Sequence, residues 1–191
     1  MEPQQRPGGR SARVRAKVLE ATLSELGASG WGALSVDRIA ERSGVHKTTI
    51  YRRWGSADRV ALAALLETGN EEIPIPDTGD VFGDLLALGR LITATISDPV
   101  GRAVATAVVA EPDSQALSEL AGVFWSERFT AARAIVERAV VRGEIDGSVD
   151  ADRVVESIAS QIWFRIMVRR GTVSDNWLTG VVEAALPPPV R

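Results

Sequence analysis

Apolar residues in this chain recur at the 3.6-residue spacing of an α-helix and nowhere at the two-residue spacing of a strand, which restricts it to an all-α fold. Ala16, Leu19, Leu23 and Leu26 share one face of a first helix predicted from Ser11, closed by Gly27 and Gly30. Ser35 is placed to cap a short helix carrying Val36, Ile39 and Ala40. Ser43-Gly44 stops it, because glycine tolerates the left-handed backbone of a tight turn. A second short helix runs from about His46 to Trp54, and Gly55-Ser56 precedes a helix to about Thr68. Further stripes are Val81, Leu85, Leu88, Ile92, Ile96, then Val100, Val104, Val108 behind the Asp98-Pro99 start signal. A long helix from Asp113 or Ser114 to Gly143, one capped by Asp150 and ended by Gly171, and a last one over 174–186 complete the pattern.

The chain divides at its prolines. Pro74 and Pro76 exclude helix between 70 and 79, which makes that segment a linker. Residues 1–10 form a flexible basic arm, 11–69 a first domain, 80–186 a second, and 187–191 a Pro-rich tail. The net charge of −3 is unevenly spread. Residues 1–56 carry ten Lys/Arg against five acids, and the remainder carries twelve against twenty. A basic head on an acidic body points to a polyanionic partner for the head. There is no cysteine and one histidine, so thiolate and histidine-cluster metal sites are excluded, and no metal or cofactor is expected. The longest stretch without Asp, Glu, Lys or Arg has 11 residues, and no apolar leader precedes the first helix, so a cytoplasmic protein is expected.

Chemistry concentrates between Ser35 and Trp54. The second short helix carries His46, Lys47, Thr48, Thr49, Tyr51, Arg52 and Arg53. A helix fits the DNA major groove, about 12 Å wide, if its exposed face offers hydroxyls and cations to phosphates and base edges. Ile39, Val45 and Ile50 would be the apolar pegs holding the helix pair together. The same pattern also suits two short polar helices that merely surface an all-α domain.

The string SVDRIAERSGVHKTTIYRRWGSADRVALAAL closely resembles the DNA-binding domain of the tetracycline-repressor (TetR) family of bacterial regulators. Ile39-Ala40, Ser43-Gly44-Val45, Thr49-Ile50-Tyr51 and Trp54 carry the match, which covers about residues 12–66. The resemblance implies an N-terminal three-helix helix-turn-helix DNA-binding domain followed by a C-terminal helical ligand-binding and dimerisation domain. It implies a homodimer on a palindromic operator and no catalytic residues. Repression, relieved by a small, largely apolar effector, is the expected mode. Tyr51 would donate to a phosphate, Thr49 would meet a phosphate or base edge, and Thr48 stands where glycine is common. Lys47 and Arg52 are groove candidates, Arg52 the better one for guanine. His46 stands where serine often caps the helix and is expected at a phosphate, with plain solvation at the turn as the other reading. Arg10, Arg13 and Arg15 would reach a neighbouring groove or backbone, with a solvated tail as the other reading. Trp54 is expected in the core. Ala57 departs from the lysine common at that position and removes one phosphate contact.

In the second half, Leu88, Ile92, Phe124, Trp125, Arg128 and Phe129 are candidates for an effector pocket, with ordinary core packing as the other reading. Residues 151–170 are apolar around much of the helix, so one side would face a partner. Val155, Ile158, Ile162, Phe164, Ile166 and Trp177 are the candidates for dimerisation. An enzyme is disfavoured. The acids Glu71, Glu72, Asp77, Asp80 and Asp84 read as a solvated linker, and no nucleophile or phosphate-loop motif occurs. A helical interaction module without DNA binding is the remaining alternative.

Overall fold

The computed structural model describes residues 9–69 and 75–186, with residues 10, 68, 69, 121 and 123–127 described by backbone alone. The helices are α1 (Gly9–Ser29), α2 (Val36–Ser43), α3 (Lys47–Trp54), α4 (Ala57–Gly69), α5 (Val81–Ser97), α6 (Pro99–Ala110), α7 (Gln115–Val141), α8 (Ala151–Trp163) and α9 (Asp175–Ala185). A 3-10 turn over Trp31–Ala33 and a π-helical turn over Phe164–Val168 complete them, and no strand occurs among the described residues. Two compact units result, Met1–Glu71 with Ala103–Leu120, and Glu72–Arg102 with Ala121–Arg191. The division counts 103–120 with the first unit, whereas the linker reading gives all of 80–186 to one domain.

Helix ends follow local chemistry. Ser35, Asp80, Asp150 and Ser174 each accept a hydrogen bond from a backbone N–H in the first turn of the helix they precede. Asp98 does the same for α6, with Oδ1 2.9 Å from the Val100 N–H. Two endings differ from expectation. Gly27 lies inside α1, and only Gly30, at φ 79°, leaves helical geometry. Past the π-helical turn, Arg170, not Gly171, takes the left-handed conformation at φ 53°.

In the first unit, α1 packs on α2 and α4. Its core joins Val18, Leu19, Val36, Ile39, Ile50, Val60 and Ala64, with Val45 and Trp54 half-buried against them. In the second unit α5, α8 and α9 pack on one another. Leu85, Ile135, Ile158, Ile162 and Val182 are fully buried there. Asp84 contradicts the solvated-linker expectation. It is 0% exposed, accepting hydrogen bonds from the Thr78 N–H (2.5 Å) and hydroxyl (2.9 Å), with Arg138 at 3.4 Å. Asp80 caps α5, and Asp77 stands 3.9 Å from Arg138.

Candidate nucleic-acid interface

The turn between α2 and α3 is built by three residues. Gly44 adopts φ 66° in the left-handed region, the conformation that lets α2 stop and the chain reverse. The Ser43 hydroxyl accepts from the Val45 N–H at 3.2 Å. His46 then caps α3. Its Nδ1 accepts from the Thr48 N–H at 3.4 Å and lies 2.9 Å from the Thr48 hydroxyl. The imidazole expected at a phosphate is therefore engaged in starting the helix.

Ile50 is completely buried and Trp54, one turn on, is half-buried against the same core. These two side chains fix the roll of α3. Thr48, Tyr51 and Arg52 lie away from that face and are exposed, Lys47 is exposed at the edge nearest α2, and Thr49 sits half-buried. Tyr51 is 50% exposed, and its hydroxyl has no hydrogen-bond partner among the described residues.

The cations of this unit fall into two sets. Lys47 Nζ is 3.0 Å from Asp37 Oδ1 on α2, and that hydrogen bond raises the lysine above its ordinary range. Arg15 pairs with Glu67 of α4. Arg38 and Arg42 both bind Glu25. Arg53 donates to the Ser11 hydroxyl at 3.2 Å and lies over the Trp54 ring, 5.1 Å from its centroid, so it ties α3 to the first turn of α1. By contrast Arg13, Lys17, Arg52 and Arg59 are exposed and have no acidic partner among the described residues. The Arg10 side chain lies outside the described residues. Lys17, Arg59 and the Glu25 group were not legible as site residues from the motif. Glu25 was detectable only as an acid in register with Val18 and Thr22 on the buried face of α1.

The second unit treats its candidates differently. Leu88 is a core residue at 6% exposure, and Ile92 and Phe129 are half-buried against that core. Arg128 is half-buried, while the Phe124 and Trp125 side chains lie outside the described residues. Of the residues expected at a partner's surface, Val155, Ile158 and Ile162 of α8, which packs on α5 and α9, and Ile166 of the π-helical turn are instead buried in the chain's own core. Trp177 is half-buried beneath Arg165, whose guanidinium is 4.5 Å from the ring centroid. Phe164 alone among them is exposed, at 52%, and Val168 one turn on is exposed at 53%.

No helix among the described residues is long and apolar enough to cross a membrane. Residues 18–64 match the family model described as bacterial regulatory proteins, tetR family, and residues 75–185 match the tetracyclin repressor-like C-terminal domain. The HTH-type transcriptional regulator AqdR of Rhodococcus erythropolis is 35% identical over 83% of this chain and 76% of its own. The uncharacterized HTH-type transcriptional regulator YdeS of Bacillus subtilis is 26% identical over 88% and 85%. The solved TetR family transcription regulator SCO0332 superposes with a TM-score of 0.70 at 29% identity, covering 92% of this chain and 100% of its own. With both halves matched to the family's two models and a curated relative above 30% identity, the chain belongs to the tetR family of helix-turn-helix transcriptional regulators.

Proposed function

We propose that two copies of the chain, joined through their C-terminal halves, set one α3 each into the major groove of a palindromic operator. They repress transcription there until a small, largely apolar effector releases them. The face of α3 carries this reading: a guanidinium without an acidic partner, a phenol and a hydroxyl stand on one side of a helix locked from the other side by Ile50. Arg52 reads a guanine edge with two parallel hydrogen bonds. Tyr51, Thr48 and Thr49 contact phosphates, which fix register. Lys47 exchanges Asp37 for a phosphate, since an exposed ion pair offers little resistance to exchange. Arg10 and Arg13, both in the first turns of α1, neutralise backbone charge beside the site.

In this reading 11–69 is the reader and 80–186 the effector and dimerisation half, acting in the cytoplasm and without catalysis. The effector is assigned to the apolar side chains between α5 and α7, where Ile92 and Phe129 are half-buried. Two proteins of the same fold lend support. Bacillus subtilis FadR was solved in complex with stearoyl-CoA, at TM-score 0.68 and 15% identity. FrrA is a flavonoid-responsive regulator, at TM-score 0.64 and 18% identity. Effector and operator would weaken each other's binding by about 1–3 kcal/mol.

The test is enrichment of bound duplexes from a random-sequence pool. Recovery of a palindrome, with affinity falling steeply as salt rises, supports the reading. Recovery of no sequence above background overturns it in favour of an interaction module. Small apolar compounds titrated against the recovered duplex complex then test release.

A further inference from the structure

Glu25 of α1 is a buried acid, only 4% exposed, at the rim of the packing between α1 and α2, covered by the side chains of Ser29, Arg38 and Arg42. Its two oxygens accept four hydrogen bonds. Oε1 takes one from Arg38 Nη1 at 2.7 Å and one from the Ser29 hydroxyl at 2.8 Å. Oε2 takes two from Arg42, from Nη2 at 2.8 Å and Nε at 3.1 Å. The Ser29 hydroxyl accepts a second bond of Arg38 at 2.9 Å, and the Ser24 hydroxyl accepts from Arg42 at 3.0 Å. The hydrogen bond from Ser29, then those from Arg38 and Arg42, hold the carboxyl at about 2, so it is a permanent anion.

Two consequences follow from this geometry. Arg38 and Arg42 are four residues apart, on one face of an eight-residue helix, so a single carboxylate grips both ends of α2. The apolar contacts of α2 come from Val36, Ile39 and Ala40, which set its distance from α1 and give it a first approximation to its roll. Charge-assisted bonds are directional and fix that roll. The two-residue turn at Gly44 and Val45 and the packing of α2 on α3 then couple that roll to the aim of α3, which Ile50 and Trp54 hold from its own side. The second consequence concerns charge. The Arg38 and Arg42 side chains are 52% and 43% exposed, so without Glu25 they would be two more cations able to meet any phosphate.

We propose that Glu25 is a positioning residue for DNA reading: it aims α3 through α2, and it withholds Arg38 and Arg42 from the duplex backbone, so that sequence-independent binding stays low. This rests on the DNA-reading function above.

The experiment compares the full chain with Glu25→Gln on two duplexes, the sequence enriched by the wild type and a scrambled one, across a salt series. Circular dichroism sets the folded fraction. The variant is expected to bind the scrambled duplex more tightly, with the slope of log affinity against log salt steeper by about 0.9 per released arginine. Its preference for the enriched duplex is expected to shrink. A purely structural role would weaken both duplexes together and leave the slope unchanged, and that result overturns the proposal. Should Glu25→Gln not fold, Arg38→Gln and Arg42→Gln, made singly, each leave the carboxylate one guanidinium partner. They are expected to lower preference with the slope unchanged. A slope shallower by about 0.9 in either would make that arginine a direct phosphate ligand and overturn the withholding. A wild type that enriches no duplex sinks the reading itself. One that does, beside variants that match it on both duplexes, sinks only the role of Glu25.

Discussion

Arg52 and Tyr51 are neighbours on α3 with different chemical reach. A guanidinium can satisfy two acceptors on one guanine, whereas a phenol offers one hydroxyl that a phosphate accepts as readily as any base. Neither side chain spends its polar group inside the described chain, so removing either leaves no buried atom unpaired. Arg52→Ala is therefore expected to fold normally, to lose about 1–3 kcal/mol on the enriched operator, and to relax preference at one base position per half-site. Tyr51→Phe should weaken all duplexes nearly alike and leave the preference profile intact. Competition binding against a panel of single-base operator variants separates the two. A Tyr51→Phe profile that relaxes at one position would instead make the tyrosine a base reader. Lys47 is less informative than Arg52, because its exposed partner Asp37 absorbs part of any charge change. His46 belongs to another class, since its ring nitrogen begins the helix.

Helix ends were readable from the sequence because a cap is a local event. Ser35, Gly44, Asp98-Pro99, Asp150 and Ser174 act within three residues of themselves. The reading face of α3 was legible for the same reason, given Ile50 as its inward mark. What escaped were choices made by distant partners. Glu25 finds Arg38 and Arg42 thirteen and seventeen residues on, and Asp84 finds Arg138 after fifty-four. The apolar stripe of α8 was visible, but whether it faced its own core or another copy depended on where α5 and α9 lie. Asp84 shows the energetic weight of such pairings. Burial alone would raise its carboxyl, but the Thr78 N–H and hydroxyl and Arg138 outweigh burial and hold it below the ordinary range. Asp84→Asn keeps the volume and removes the charge, leaving Arg138 and Arg142 with poorer partners. A loss of roughly 2–3 kcal/mol is expected in urea unfolding at neutral pH, since both arginines keep some water. A carboxyl depressed in the folded state stabilises above its unfolded pKa and stops doing so as pH falls through its folded one. The wild-type advantage should accordingly shrink toward acid, and an advantage constant with pH would show that packing, not charge, is lost.

One reading helix meets few base pairs, so a sequence long enough to be rare in a genome requires two, and the geometry joining them belongs to the body. Members of this family dimerise and bind DNA. In this chain the buried stripe of α8 is already used, which leaves Phe164 and Val168 as the large apolar side chains that the last helical segments expose. The π-helical turn contains both, one turn apart, with Gln161 and Ser160 exposed just before them. We propose that this exposed Phe/Val pair, on a helix otherwise committed to its own core, belongs to the surface that a second copy covers. Phe164→Glu tests this without touching the core, because a side chain half in water can become charged at little cost to the fold. The variant is expected to sediment as a monomer with an unchanged helical signal. Its affinity for the full palindrome should drop by about 10²–10⁴, the factor lost when a second binding event ceases to be intramolecular. Affinity for an isolated half-site should stay near the wild-type value, since α3 is untouched. A variant that remains dimeric would move the interface away from Phe164. A monomer that loses the half-site as well would mean that pairing shapes the reader itself, not only its spacing.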